Sequence, residues 1–142
     1  SPNLKYEPDV LAVFLADLAA EPAAKGSRAA FEPRHPSWFT GEAAAQLSEA
    51  GVALCVADTD ESLKTGPELS TVPGFVYLRL RRSGYPARLL GQWAAAIRSA
   101  LAAGVDVHAF FKHEGDAAGA RDAMTLAKRL GATSRPARPR QP

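Results

Sequence analysis

Val52-Ala-Leu-Cys-Val-Ala-Asp58 is apolar on both faces of an extended chain until it reaches the aspartate. A strand apolar on both sides belongs in a parallel sheet covered by helices, not in a half-solvated hairpin. The flanks agree. Gly41–Ala50 reads as a helix, with Thr40 as its N-cap and Gly51 as its stop. Upstream, Pro8–Ala20 carries an apolar stripe of Val10, Leu11, Phe14, Leu15 and Leu18. Pro8 suits a first turn, and Asp9 complements the positive helix end. Arg28–His35 between these helices reads as a short strand weakened by Pro33.

Downstream, Thr59–Gly74 is rich in turn residues and reads as a loop. Phe75–Arg82 alternates and reads as a strand. Arg88–Ala103 is a helix ended by Gly104, Val105–Phe111 a fourth strand, and Ala117–Leu130 a last helix ended by Gly131. Strands alternating with helices predict an α/β fold with a parallel sheet and helices outside. Right-handed crossovers put all strand C-terminal ends on one edge, where such folds carry their sites. At 142 residues the chain is too short for a complete eight-fold barrel of about 250 residues.

The same sequence excludes several classes. No apolar run approaches the roughly 20 residues that span a bilayer, so no membrane association is expected. No secretion signal opens the chain, and the expected compartment is the cytosol. A lone Cys55 allows no intramolecular disulfide and reads as inert core. The net charge of +2 comes from Arg135, Arg138 and Arg140 in the Pro-containing tail 134–142, expected to be a flexible end. Without them the body has 17 − 3 = 14 bases against 15 acids, so nucleic-acid binding is not expected from bulk charge. Glycine-rich phosphate loops, a His-Glu-x-x-His motif and a Gly-x-Ser-x-Gly motif are all missing from the sequence. No cofactor is implied.

Chemistry gathers at the strand ends. In Phe31-Glu-Pro-Arg-His-Pro-Ser-Trp-Phe39, Glu32 and Arg34 are two apart and share a strand face. Glu32 suits a general base or a sugar-hydroxyl acceptor, and Arg34 suits a bidentate anion clamp. The structural alternative is an ion pair bracing the sheet. Trp38 is either an aromatic wall of the mouth or core, and His35 either a cap or a proton carrier. Asp58 stands at the end of a buried strand, where acids recur as site residues, or else caps the loop behind it.

Tyr77, Arg79 and Arg81 share one face of the third strand and would make an anion site. Otherwise Arg79 pairs Glu32 or Asp58. Arg82 and Tyr85 follow in the loop, Tyr85 as a further binding candidate. Lys112 and Glu114 share a face after the fourth strand, with His113 on the other, and Lys112 and His113 are catalytic candidates. His108 reads as a satisfied core or interface residue. Glu32, Asp58, His113 and Glu114 have ligand chemistry but no diagnostic spacing, so no metal site is expected.

Four stretches in order, Phe31-Glu-Pro-Arg-His-Pro-Ser-Trp-Phe39, Val56-Ala-Asp58, Phe75-Val-Tyr-Leu-Arg-Leu80 and Phe110-Phe-Lys-His-Glu114, resemble the C-terminal half of the YecE-like family, domain of unknown function 72. The resemblance covers about residues 4–130. It implies a TIM-type (β/α)8 barrel without an established activity, of which these four strand–helix units, residues 1–133, would be strands five to eight. The chain departs from the family where Pro33 replaces an aromatic or aliphatic residue. It departs again where Arg81-Arg82 follows Leu80 in place of a common His-Gly, making the mouth more cationic. The family's N-terminal half has no counterpart here.

Such a half-barrel has two open edges, so pairing with a second copy or with an N-terminal half is expected. Three functions compete. In the first, an enzyme acts on a small anionic or hydroxylated ligand, with Glu32 as acid/base, Arg34, Arg79 and Arg81 as clamp, and Asp58, Lys112 and His113 assisting. The second is a non-catalytic half-barrel module. The third, nucleic-acid processing through Arg79, Arg81, Arg82, Lys112 and the tail, is disfavoured by the near-neutral body.

Overall fold

The computed structural model describes residues 2–61, 69, 75–112 and 117–131. The strands are β1 (Ala30–Phe31), β2 (Ala53–Leu54), β3 (Val56–Asp58), β4 (Phe75–Leu80) and β5 (Asp106–Phe111). The helices are α1 (Pro8–Ala20), α2 (Gly41–Glu49), α3 (Ala87–Ala102) and α4 (Ala118–Arg129), with short 3-10 turns at Pro22–Ala24 and Pro36–Trp38. All observed strand pairs are parallel: β1 with β2, β3 with β4, and β4 with β5. The fold is α/β, as expected.

The helices begin and end where local chemistry dictates. Pro8 opens α1 and Asp9 sits in its first turn. The Thr40 hydroxyl accepts from the Ala43 N–H to start α2. Gly51 (φ +68°) and Gly104 (φ +78°) take the left-handed conformation that turns α2 and α3 back into the sheet. There Val52 N–H reaches Leu47 O at 2.9 Å, and Val105 N–H reaches Ala100 O at 3.0 Å.

Two strands differ from expectation. The first is two residues long instead of spanning Arg28–His35. Pro33 and Pro36 have no N–H to donate, and the His35 ring accepts from Ser37 N–H, starting a 3-10 turn in place of further pairing. The second is divided at Cys55. Its early half pairs with β1 and its late half with β4. The Cys55 N–H still donates to Phe31 O at 2.7 Å, which carries the β1 ladder to the break.

The helices pack on one side of the strands. Val76, Leu78 and Leu80 of β4 are buried with Leu90, Trp93 and Ile97 of α3 and Leu126 of α4. Leu54 and Phe31 pack with Leu11 and Leu15 of α1 and Ala43 and Leu47 of α2. Burying each large aliphatic side chain contributes about 1.5–3 kcal/mol. The register puts Ala57, Arg79 and Phe110 at one level on the opposite face. Ala57 and Phe110 are exposed there and Arg79 half-buried. The polar residues of β4 and β5 therefore lie on a face that no described element covers.

Candidate functional site

The uncovered face is organised around a strand of small side chains. On the even-numbered side, Leu54, Val56 and Asp58 point toward the helices, leaving Ala53, Cys55 and Ala57 for the open face. These stubs leave room above the middle strand. A Glu32 side chain from the end of β1 passes over them and accepts a hydrogen bond from Arg79 on β4, across two inter-strand spacings, or about 9.5 Å. Arg28 makes a similar crossing lower down. It lies 5.2 Å above the Phe75 ring, donates to Asp106 at 2.7 Å and meets His108 Nε2 at 2.8 Å. Edge strands β1 and β5 are thus joined by side chains.

The Glu32–Arg79 pair stays partly solvated, with side-chain exposures of 22% and 27%. The hydrogen bond to Glu32, more than any other influence, raises the Arg79 guanidinium above its ordinary range. The second carboxylate oxygen, Glu32 Oε1, has no hydrogen-bond partner among the described residues. Outward from the pair lies a concavity of about 530 Å³, lined by Glu32, Arg34, Ala57, Asp60, Glu61 and Arg81 among others. Neither Arg34 nor Arg81 has a side-chain hydrogen-bond or ion-pair partner among the described residues. Beneath the pair lies a second concavity of about 340 Å³, which Glu32 and Arg79 also line.

Several candidates stand elsewhere. Asp58 is buried on the helix side and receives Arg82 Nε at 2.8 and 2.9 Å and Arg82 Nη2 at 2.7 Å. It latches the loop after β4 and does not line the open face. Tyr85 is core, packed edge-on against Phe111 at 5.3 Å, and its oxygen accepts from Arg82 N–H. Burial pushes its phenol well above the ordinary range. Trp38 is also core. It stacks near Phe31 and Tyr6, and its indole N–H donates to Leu4 O at 2.8 Å. His35 caps the 3-10 turn.

The open face does bring together Glu32, Arg34, Tyr77, Arg79 and Arg81. Lys112 is exposed just beyond β5, its N–H bonded to Leu80 O. His113 and Glu114 lie outside the described residues, as does the tail 134–142. Among the described residues no group of three or more His, Cys, Asp or Glu is placed to hold a metal.

Sequence reasoning missed Arg28 and Asp106 as a cross-sheet clasp, and Cys55 as a wall of the inner concavity. The signal for Arg28 was its parity, since it shares the even-numbered face of Glu32 and Arg34. Its partner is 78 residues away, which no local pattern indicates.

A family model described as a protein of unknown function, DUF72, matches residues 1–142. The chain belongs to the DUF72 family. Two crystal structures of a DUF72 family protein from Enterococcus faecalis V583 share its fold, each with a TM-score of 0.69. The identities are 16% and 14%, over 94% and 100% of this chain. This DUF72 chain spans only 59% and 60% of those chains. No curated protein matches it. Among the described residues no helix is long and apolar enough to cross a membrane.

Proposed function

We propose that this DUF72 chain supplies four strand–helix units of a TIM-type barrel, and that its strand C-terminal ends bind a small anionic, hydroxylated ligand. The observation that carries the binding reading is the pair of arginines, Arg34 and Arg81. They line one concavity, which Asp60 and Glu61 also line, and neither arginine has a side-chain partner among the described residues. A guanidinium fork matches carboxylate or phosphate geometry. Glu32 Oε1 beside them accepts a hydroxyl hydrogen, or a proton in an acid–base step. Asp58 has no part in this reading, and Lys112 is not among the residues that line either concavity.

Among the described residues, the barrel reading is supported by helices on one sheet face only, an uncovered opposite face, and strands β1 and β5 each paired on one side only. A further run of strand–helix units, or a second copy, would close the ring and remove both edges. A stable monomer with no dye-binding apolar surface would count against that closure.

The binding reading is tested by calorimetric titration of inorganic phosphate at low ionic strength. Arg81→Ala and Arg34→Ala should each weaken binding by about 1.5 kcal/mol or more, the contribution of a charge-assisted hydrogen bond. Undetectable binding, or affinity unchanged in the double variant, overturns the reading.

A further inference from the structure

Glu32 lines both concavities of the open face, and the two differ in chemistry. The outer one presents Arg34 and Arg81, with the carboxylates of Asp60 and Glu61 also on its lining. The inner one is floored by the Phe75 and Tyr77 rings and the Cys55 thiol. Burial, more than the charge of Glu32, pushes that thiol to about 11, which marks the floor as poorly solvated. Tyr77 is half-buried, its ring 5.1 Å from Phe110, and its hydroxyl has no hydrogen-bond partner among the described residues. The rim of the inner concavity is polar, since Arg28, Glu32 and Arg79 all border it.

An aromatic floor with a carboxylate and guanidinium rim suits a ring that has C–H faces and hydroxyl edges. At about 340 Å³ the inner space lies near the small end of ligand pockets, which run from about 300 Å³ upward. It therefore suits a single sugar ring better than a nucleoside. We propose that the two concavities form one site for a phosphorylated sugar. Its phosphate lies between Arg34 and Arg81, its ring against Tyr77, and a hydroxyl between them donates to Glu32. This rests on the anion-binding reading above and adds the identity of the ligand's other end.

The test is calorimetric titration of the full-length protein with inorganic phosphate, ribose, ribose 5-phosphate and adenosine monophosphate. Ribose 5-phosphate should bind about tenfold tighter than inorganic phosphate, and ribose alone only weakly. Tyr77→Ala should abolish the preference while leaving inorganic phosphate unchanged. Should circular dichroism show that variant unfolded, Ala30→Leu, which fills the inner concavity from β1, should produce the same selective loss.

Equal affinity for phosphate and ribose 5-phosphate overturns the sugar assignment and leaves the anion site standing. Tighter binding of adenosine monophosphate overturns it in favour of a base-binding pocket. Loss of both ligands in the same proportion in the folded variant also overturns it. Absence of any phosphate binding defeats the anion site itself.

Discussion

Two carboxylate–guanidinium pairs stand near the same end of the sheet, on opposite faces. Asp58–Arg82 is sealed on the helix side, with side-chain exposures of 8% and 16%. Both Asp58 oxygens receive Arg82 Nε, and Arg82 Nη2 adds a third contact to one of them. Glu32–Arg79 lies on the open face, joined through one carboxylate oxygen, with the other unbonded among the described residues. Identical chemistry thus does two jobs. A doubly bonded pair largely shielded from water fixes a loop. A half-satisfied pair beside two concavities retains an acceptor for something else. Arg81 and Arg82 are neighbours in sequence, and backbone alternation sends them to opposite faces. The latch on Arg82 is what commits Arg81 to the mouth.

This contrast is broken most strongly by removing the sealed carboxylate. Asp58→Ala leaves the largely shielded Arg82 charge uncompensated and should destabilise the protein by about 3 kcal/mol, the low end for a buried pair, read as a lower urea midpoint. A loss near zero would mean that Arg82 reaches water and that the two pairs are not distinct. Next in size is an alkaline effect on the open-face side. The Cys55 thiol is raised from 9.0 to about 11. Above pH 9 the unfolded chain gives up this proton while the folded chain keeps it. The unfolded state then binds fewer protons, and stability falls with rising pH.

The Cys55 share of the fall should be on the order of 2–3 kcal/mol between pH 9 and 11, at about 1.4 kcal/mol per pH unit. Cys55→Ala should flatten the slope between pH 9 and 10. Above pH 10 the raised phenols of Tyr85 and Tyr6 act in the same direction, as the unfolded tyrosines ionise first. The smallest effect is expected from Glu32→Gln. Being partly solvated, that pair should contribute about 1 kcal/mol or less, diminishing with added salt. A loss as large as that of Asp58→Ala would make it a second structural brace.

The helix α1 and the faces of β4 were readable because their signals are local. Pro8 at the first turn and the break at Pro22 bound the helix, and period-two alternation separates Tyr77, Arg79 and Arg81 from Val76, Leu78 and Leu80. The side of Asp58 was less legible. Val52–Ala57 is apolar on both faces, which identifies the strand as buried but conceals which parity meets the helices. The structure settles it, and Asp58 falls with Leu54 and Val56. Trp38 ends a three-residue 3-10 turn and Tyr85 lies in a loop, so no periodicity separates core from mouth for either ring. The choice of Arg79 between Glu32 and Asp58 depended on that same parity.

The stubs Ala53, Cys55 and Ala57 have a consequence for sequence drift. An alanine facing solvent is ordinarily among the freest positions in a protein, since surface substitutions seldom change stability by more than about 0.5 kcal/mol. Ala57 faces solvent, yet it borders the concavity between Glu32, Arg34 and Arg81. A leucine or lysine there would act as a shim, lifting the β1 side chains off β4. The chain would fold as before while its open face fell silent, so this exposed position should tolerate only the smallest residues.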